Sequence, residues 1–187
     1  MTTYNLTPKI KMVLLDVDGV LTDGTIYMSE QGEYLKAFNV KDGLAIELLR
    51  SHGILTGVIS GKASAALSLR CQQLGFDKVI TGCKNKGPQL TNICLEFGIT
   101  LKEIAFCGDD VLDLPVFDLV GLCAAPADSH QLVLEKANWV TRANGGNGMV
   151  REFVDKLLCI QNESTLEEVY APLMRKILID DVKGIEQ

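Results

Sequence analysis

An apolar run, Ile10-Lys-Met-Val-Leu-Leu15, leads directly into two carboxylates in Asp16-Val-Asp18-Gly19. A short apolar run of this kind is typical of a buried strand in a parallel sheet. Gly19 allows a tight turn directly after the carboxylates. Ligands of parallel α/β sheets bind beyond the carboxyl ends of the strands. The stretch therefore predicts a strand that delivers acidic side chains to a ligand site.

Further along the chain, five apolar runs have the same strand-like character, at 54–59, 78–81, 103–107, 120–124 and 138–141. Helix-like stretches lie between the first of them, at 43–52, 63–74 and 86–97. A glycine directly follows each of these stretches, as is common at helix ends. The alternation predicts βαβ units and therefore an α/β fold with a parallel central sheet.

Residues 25–38 interrupt this alternation. They form two strand-like halves around a Glu-Gln-Gly turn, which predicts a β-hairpin after the first strand. From Asp18 to Ser60 is 42 residues and from Ser60 to Lys86 is 26, and the hairpin, helices and strands fill both intervals. We therefore expect no cap domain. The hairpin's apolar side chains fit an interface better than an exposed ribbon; they are Ile26, Tyr27, Met28, Tyr34, Leu35 and Phe38.

Composition excludes several classes of protein. The chain has 187 residues and a net charge of −6, whereas a nucleic-acid-binding protein needs a basic face. No apolar run reaches the roughly 18–20 residues of a membrane span, and the first residues lack the pattern of a secretory signal. The cysteines form no C-x-x-C pair, which indicates reduced, buried thiols. We expect a cytoplasmic protein without nucleic-acid or membrane partners, with one domain at 1–160 and a helical tail at 161–187.

Two acidic clusters follow strand-like runs. Asp16 and Asp18 would repel each other unless they share a proton or bind a cation. Asp109 lies in Gly-Asp-Asp-Val-Leu-Asp113, directly after another run, and is expected at the same edge of the sheet. Oxygen ligands of this kind suit Mg²⁺. The alternative for Asp109 or Asp110 is a simple helix N-cap.

Two smaller signals lie between these clusters. Ser60-Gly61-Lys62 ends the second strand-like run and is expected to open a helix, which would make a phosphate cradle; the alternative is a serine N-cap. Lys86 is expected at the start of the next helix, where a cation opposes the helix dipole. That mild penalty indicates an anionic partner, although Lys84 is close by and either lysine could be an ordinary surface residue.

In chain order, these features are Asp-x-Asp, then Ser, then Lys, then Gly-Asp-Asp-x-x-Asp. Together with Phe38-Asn-Val-Lys-Asp-Gly43 and Gly145-Gly-Asn-Gly148, they resemble the haloacid dehalogenase superfamily of phosphatases. The resemblance implies a Rossmann-like fold with a parallel central sheet and helices on both faces. It also implies a Mg²⁺-dependent phosphoric monoester hydrolase that works through an aspartyl-phosphate intermediate.

The resemblance assigns roles to the carboxylates. Asp16 would be the nucleophile, and Asp18 the general acid that later acts as the base. The side chains of Asp16 and Asp109, with the backbone carbonyl of Asp18, would hold Mg²⁺. Asp110 and Asp113 would support the site from behind, Asp113 by orienting Lys86 or a metal-bound water.

The remaining roles concern the substrate. Ser60, Gly61 and Lys86 would bind the phosphoryl oxygens. The resemblance implies hydrolysis of 3-deoxy-D-manno-octulosonate 8-phosphate, in lipopolysaccharide precursor synthesis, by a homotetramer assembled through the hairpins. The candidate sugar contacts are Asn39, Val40, Lys41, Asp42, Gly43, Lys62 and Arg70.

Alternative functions stay open. Lys62 stands where the family more often has Arg, and Lys cannot form a bidentate fork to a carboxylate. A nine-carbon acidic sugar 9-phosphate of the sialic-acid type is therefore an alternative substrate. A non-catalytic scaffold of the same fold is another alternative, against which the intact pair of Asp16 and Asp18 argues. A phosphomutase would need a cap to exclude water, and the spacing leaves no room for one.

Overall fold

The computed structural model describes residues 8–179. Residues 1–7 and 180–187, the outer ends of the predicted domain and tail, lie outside the described residues. In the described part of the chain, six strands form one parallel sheet in the order β5-β4-β1-β6-β7-β8, and β2 and β3 form a separate hairpin. The strands are β1 (Met12–Leu15), β2 (Tyr27–Ser29), β3 (Gly32–Leu35), β4 (Leu55–Ile59), β5 (Lys78–Ile80), β6 (Ile104–Cys107), β7 (Leu122–Ala125) and β8 (Trp139–Val140).

Within residues 8–179, seven α-helices connect or flank the strands. They are α1 (Val40–Ser51), α2 (Ala65–Leu74), α3 (Gly87–Phe97), α4 (Leu114–Phe117), α5 (Gln131–Lys136), α6 (Met149–Asn162) and α7 (Leu166–Leu178). Short 3₁₀ turns cover Leu101–Glu103 and Val111–Asp113. Helix α1 begins three residues before the predicted start because the Asn39 side chain caps it by accepting the Lys41 N–H at 2.9 Å.

Alternate residues of the central strands enter two different cores. Val13 and Leu15 of β1 face the core that α1, α2, α6 and α7 complete. Met12 and Leu14 face the opposite core, which α3, α4 and α5 cover. All four β1 side chains are buried, as a central parallel strand requires. The predicted α/β fold with helices on both faces of a parallel sheet is confirmed.

The hairpin follows β1 and stands outside the main sheet. Its strands pair antiparallel, with Tyr27 opposite Leu35. Met28 and Tyr34 are among its exposed apolar side chains. Between Asp18 and Ser60 the chain forms only this hairpin, α1 and β4, and between Ser60 and Lys86 it forms only α2 and β5, so neither interval contains a cap domain.

Helix α7 packs against α6 and α1, where Val169 and Leu173 are buried in the first core. A ring nitrogen of His52 also hydrogen-bonds the Val169 carbonyl at 2.7 Å. The division into a domain and a tail near residue 160 stays a prediction. Among residues 8–179, no helix has the length and hydropathy that a bilayer-spanning segment needs.

Candidate active site

The carboxyl ends of β1, β4, β5 and β6 meet around one cavity of about 270 Å³. Asp16 directly follows β1, and Ser60 directly follows β4. Lys86 directly precedes α3, which follows β5, and Asp109 comes two residues after β6. The structure thus brings together nine residues that the sequence predicted to be functional: Asp16, Asp18, Ser60, Gly61, Lys62, Lys86, Asp109, Asp110 and Asp113. Lys84 and Leu112 also line the cavity.

Lys86 is the cation at the centre of this cavity. Its Nζ lies 2.7 Å from Asp16 Oδ1 and 2.7 Å from Asp113 Oδ1, and its side chain is only 3% exposed. Burial by itself lowers the pKa of Lys86, but the two carboxylates outweigh burial and raise the pKa above its usual value. Lys86 therefore stays protonated, with its charge directed at the nucleophile candidate.

Asp113 holds Lys86 and the Asp109 backbone at the same time. Its Oδ1 accepts from Lys86, and its Oδ2 accepts the Asp109 N–H at 3.0 Å. The contact requires glycine at position 108, because a β-carbon there would lie 2.5 Å from Asp113 Oδ2. With both oxygens engaged, Asp113 is suited to orienting its neighbours. Asp110 has the N-cap role that the sequence left open, since its Oδ1 accepts the Val111 N–H at 2.6 Å.

Asp109 presents an unsatisfied carboxylate to the cavity. Its Oδ1 is buried and has no hydrogen-bond partner among the described residues. Burial, with the nearby charges of Asp16 and Asp113, raises the pKa of Asp109 to about 8. Burial also raises the pKa of Asp16 to about 6, although Lys86 opposes the shift.

A cation would satisfy this cluster. Asp16, Asp109 and Asp113 each offer a carboxylate oxygen, and these atoms lie within 4.8 Å of one another. Closely spaced buried carboxylates ionise together only when a positive charge compensates them. The orphaned Asp109 oxygen and the all-oxygen donor set therefore fit a hard divalent cation.

Ser60 is buried at the cavity wall, but it does not begin a helix as predicted. Helix α2 starts five residues later and is capped by Ser64, whose side chain accepts the Leu67 N–H at 3.2 Å. Ser60 Oγ instead accepts the Lys62 N–H at 3.1 Å and shapes the turn between strand and helix. The expected helix N-terminus at Ser60-Gly61 and the N-cap alternative for Ser60 are both wrong. A turn of polar groups, and not a helix end, faces the cavity there.

The predicted sugar-contact segment lies beside the cavity and does not line it. Asn39 Nδ2 donates to the Gly146 carbonyl at 3.1 Å. Asp42 is buried and accepts the N–H groups of Gly148 and Arg151 at 3.1 and 2.9 Å. These bonds attach the start of α1 to the loop before α6. The role of this segment in substrate binding, including Val40 and Lys41, stays a prediction.

The side chain of Arg70, the remaining predicted sugar contact, packs against the start of α1. A β-carbon at Gly43 would lie 2.5 Å from Arg70 Nη2, so glycine at this position lets the guanidinium pack closely against the helix. The Arg70 Nε is buried without a hydrogen-bond partner among the described residues, and burial lowers the pKa of this guanidinium. Its part in substrate recognition also stays a prediction.

Sequence reasoning missed a lysine behind Asp18. Lys36 Nζ contacts Asp18 Oδ1 and lies 3.3 Å from Glu33 Oε2, and the Lys36 side chain is 1% exposed. The sequence offered one signal for this lysine, which is that Glu33 lies three residues before it in the otherwise apolar hairpin. A lysine that is buried needs a counter-ion, and Glu33 is close enough in the chain to be one. The spacing gave no indication that Lys36 reaches a carboxylate 18 positions earlier.

Comparisons with known proteins agree with this geometry. A family model described as haloacid dehalogenase-like hydrolase matches residues 76–153. The 3-deoxy-D-manno-octulosonate 8-phosphate phosphatase KdsC of Escherichia coli K12 is 42% identical over 154 residues, 82% of each chain. The crystal structure of the Yersinia pestis phosphatase of the same name is 41% identical, with a TM-score of 0.80 and coverage of 84% of both chains.

A third relative was solved with ligands. The Moraxella catarrhalis 3-deoxy-D-manno-octulosonate 8-phosphate phosphatase, in complex with a magnesium ion, a phosphate ion and KDO, is 33% identical. Its TM-score is 0.82, and the match covers 88% of this chain and 93% of that one.

Proposed function

The chain belongs to the haloacid dehalogenase-like hydrolases, in the family of the 3-deoxy-D-manno-octulosonate 8-phosphate phosphatases, and on that premise we propose that it hydrolyses this sugar phosphate to 3-deoxy-D-manno-octulosonate and phosphate. The observation that carries the proposal is the buried Lys86, which is paired with Asp16 and Asp113 at the carboxyl edge of the parallel sheet. A paired lysine beside an accessible carboxylate suits attack on an anionic phosphate ester.

The reaction runs in two displacements. A carboxylate oxygen of Asp16 attacks phosphorus, and the bond from phosphorus to the sugar oxygen breaks as Asp18 gives that oxygen its proton. Asp18, now ionised, takes a proton from water as the water oxygen attacks the phosphorus of the aspartyl-phosphate. Phosphate leaves and Asp16 is restored, so atoms and protons balance over the cycle.

Lys86 and Ser60 bind the phosphoryl group through both steps. The ammonium of Lys86 has three donors, two of which meet Asp16 and Asp113. The third is available to a phosphoryl oxygen. The Ser60 hydroxyl and the Gly61 backbone also line the cavity and would donate hydrogen bonds to the phosphoryl oxygens.

Mg²⁺ is the proposed cofactor. The side chains of Asp16 and Asp109 and the backbone carbonyl of Asp18 would hold it, and it would neutralise the charge between nucleophile and phosphate. The unpartnered Asp109 oxygen supports this assignment. Asp113 is the less suitable ligand because both of its oxygens already accept hydrogen bonds.

The test is phosphate release from a panel of sugar phosphates with and without Mg²⁺. We expect 3-deoxy-D-manno-octulosonate 8-phosphate to be the preferred substrate, chelator to stop turnover, and added Mg²⁺ to restore it. Faster hydrolysis of a nine-carbon acidic sugar 9-phosphate would transfer the proposal to that substrate. Full turnover in excess chelator would overturn the metal assignment.

The wider setting is also a proposal. The protein would act in the cytoplasm, in the synthesis of lipopolysaccharide precursors, as a homotetramer assembled through its hairpins. Exposed apolar side chains on the hairpin support that assembly, among them Met28 at 68% and Tyr34 at 73% exposure. In a protein without a cap domain, a neighbouring subunit would also cover the open cavity.

A further inference from the structure

Four alternating charges connect the hairpin to the active-site cavity. Lys62 Nζ lies 3.9 Å from Glu33 Oε2, Glu33 Oε2 lies 3.3 Å from Lys36 Nζ, and Lys36 Nζ contacts Asp18 Oδ1. Lys62 and Asp18, at the two ends, line the cavity. Glu33 and Lys36, in the middle, belong to the hairpin and its exit.

Lys36 is buried more completely than the carboxylates it joins. Its side chain is 1% exposed, compared with 26% for Asp18 and 15% for Glu33. A buried ammonium is tolerated only when it is paired. Both Asp18 and Glu33 pair with the Lys36 ammonium, so Glu33 remains the counter-ion of Lys36 when Asp18 acts as the acid. Lys36 therefore keeps a paired carboxylate through both steps of the proposed reaction.

The direction of the hydrogen bond determines where the Asp18 proton can lie. An ammonium donates and cannot accept, so Asp18 Oδ1 is the acceptor in both protonation states. No other described residue hydrogen-bonds Asp18, which leaves Oδ2 as the oxygen that carries the proton. A general acid works only when its proton lies within reach of the leaving atom.

We propose that Lys36 is a positioning residue for the leaving-group step: it clamps Asp18 Oδ1 so that Oδ2 carries the proton to the sugar oxygen, with Glu33 as its permanent counter-ion. This inference rests on the proposed function, because it takes Asp18 as the general acid. It adds that the hairpin, beyond any part in assembly, holds the acid of its own subunit in place.

A comparison of leaving groups tests the proposal. The sugar alkoxide needs a proton as it departs, whereas the 4-nitrophenolate of 4-nitrophenyl phosphate needs little help. We expect Lys36→Met to lower kcat/KM for 3-deoxy-D-manno-octulosonate 8-phosphate by about a hundredfold, the lower end for a lost general acid. This ratio reports the steps up to departure of the leaving group and not the later hydrolysis of the aspartyl-phosphate, which both esters share. The loss of kcat/KM with 4-nitrophenyl phosphate should be at least tenfold smaller. Equal losses with both esters would overturn the proposal.

A double-mutant cycle shows whether Lys36 acts through Asp18. In an Asp18→Asn background, Lys36→Met should cost little further kcat, because the group it positions is already gone. Additive losses would overturn the proposal. The matched control is Lys78→Met, which removes the ammonium of Lys78 on β5 from a surface ion pair with Glu96 on α3. This variant should show no discrimination between the two esters.

Glu33→Gln protects the test against misfolding of Lys36→Met. It keeps the shape of the side chain and removes the permanent counter-ion of Lys36. Hydrolysis of the sugar phosphate should therefore again slow more than hydrolysis of 4-nitrophenyl phosphate. Equal loss with both esters would contradict the proposal. If wild-type protein hydrolyses neither ester, the proposed function fails and this inference fails with it. If wild-type hydrolyses both and Lys36→Met shows no discrimination, only this inference fails.

Discussion

Gly19 packs so tightly against Asp109 that a β-carbon at position 19 would lie 2.0 Å from Asp109 Oδ2. The two residues come from loops after β1 and β6, which are adjacent strands of the sheet. Gly19 also has a φ of +93°, a conformation that other residues adopt only with strain. The absence of a side chain at position 19 therefore leaves the space that the Asp109 carboxylate occupies.

Gly19→Ala should weaken metal binding. The methyl group would push the Asp109 side chain out of its place, so we expect the Mg²⁺ concentration for half-maximal activity to rise at least about tenfold, equivalent to about 1.4 kcal/mol. A Mg²⁺ titration of phosphate release measures it. The control is Gly32→Ala in the hairpin turn, where φ is +110° but nothing lies within 4 Å of the added carbon. Both variants should be less stable because alanine is strained at a positive φ, and only Gly19→Ala should shift the Mg²⁺ titration.

Asp16→Asn should abolish turnover without unfolding the protein. An amide is not a competent nucleophile, and we expect kcat to fall by at least about a thousandfold. Burial raises the pKa of Asp16 to about 6, so at pH 7 the ionised carboxyl costs stability relative to the unfolded chain. The neutral isostere should therefore unfold at the same or a higher temperature in metal-free buffer. Activity near that of wild type would remove Asp16 from the nucleophile role.

Mg²⁺ should stabilise the protein more at pH 8 than at pH 6. The pKa of Asp109 is raised to about 8 by burial and by neighbouring carboxylates, far above the roughly 4 of an exposed aspartate. A raised pKa in the folded state means that the metal-free protein loses stability as pH rises from about 4 to about 8. A bound cation compensates the ionised carboxylate, so its effect grows over the same interval.

Thermal unfolding with and without Mg²⁺ at the two pH values measures this effect. In Asp109→Asn, the rise in Tm on adding Mg²⁺ should be smaller and should lose most of its pH dependence. A Tm rise in wild type that is equal at both pH values would contradict the assignment of Asp109 as the group that ionises on metal binding.

Much of the fold was predictable because buried parallel strands carry a strong local signal. The run before Asp16 predicted β1 and its acidic tip, and the same logic located Asp109. Ser60 shows where local reasoning fails: it and Ser64 are both small hydroxyl residues before a helical stretch, and the sequence did not reveal that Ser64 is the cap. Lys36 shows a different limit, since its contact with Asp18 depends on how the hairpin folds back over the site.

Helix α6 was overlooked although its pattern was present. Its buried residues recur at helical spacing among charged ones; they are Met149, Val150, Phe153, Val154, Leu157 and Leu158. Close approach explains two glycines of the loop before α6, since a β-carbon at Gly145 would lie 1.9 Å from the Gly19 carbonyl oxygen and one at Gly146 would lie 2.5 Å from the Asp23 nitrogen. Gly148 has open space around it and a φ of +94°, which favours glycine.

Met28→Glu should break the proposed assembly. Met28 is 68% exposed on the hairpin, and a carboxylate buried at an apolar interface is strongly unfavourable. We expect wild type to have the mass of a tetramer by light scattering and the variant to have a smaller mass at the same concentration. Leu95→Glu, at an 80% exposed position on α3, is the matched control and should leave the mass unchanged. A monomeric wild type would overturn the tetramer.

Lys62 is the position at which substrate identity can be tested. It lines the cavity with a side chain that is 47% exposed, so we expect it to meet a substrate carboxylate as a point charge at the cavity opening. Lys62→Ala should raise KM for the acidic sugar phosphate about tenfold, the lower end for a charge-assisted contact, and should change KM for 4-nitrophenyl phosphate much less. Lys62→Arg should keep or improve the reaction of the eight-carbon substrate. If Lys62→Ala raises KM equally for both esters, Lys62 binds the phosphate group or stabilises the turn after β4. If Lys62→Arg depresses hydrolysis of the eight-carbon substrate while wild type prefers a nine-carbon acidic sugar phosphate, the proposed substrate is wrong.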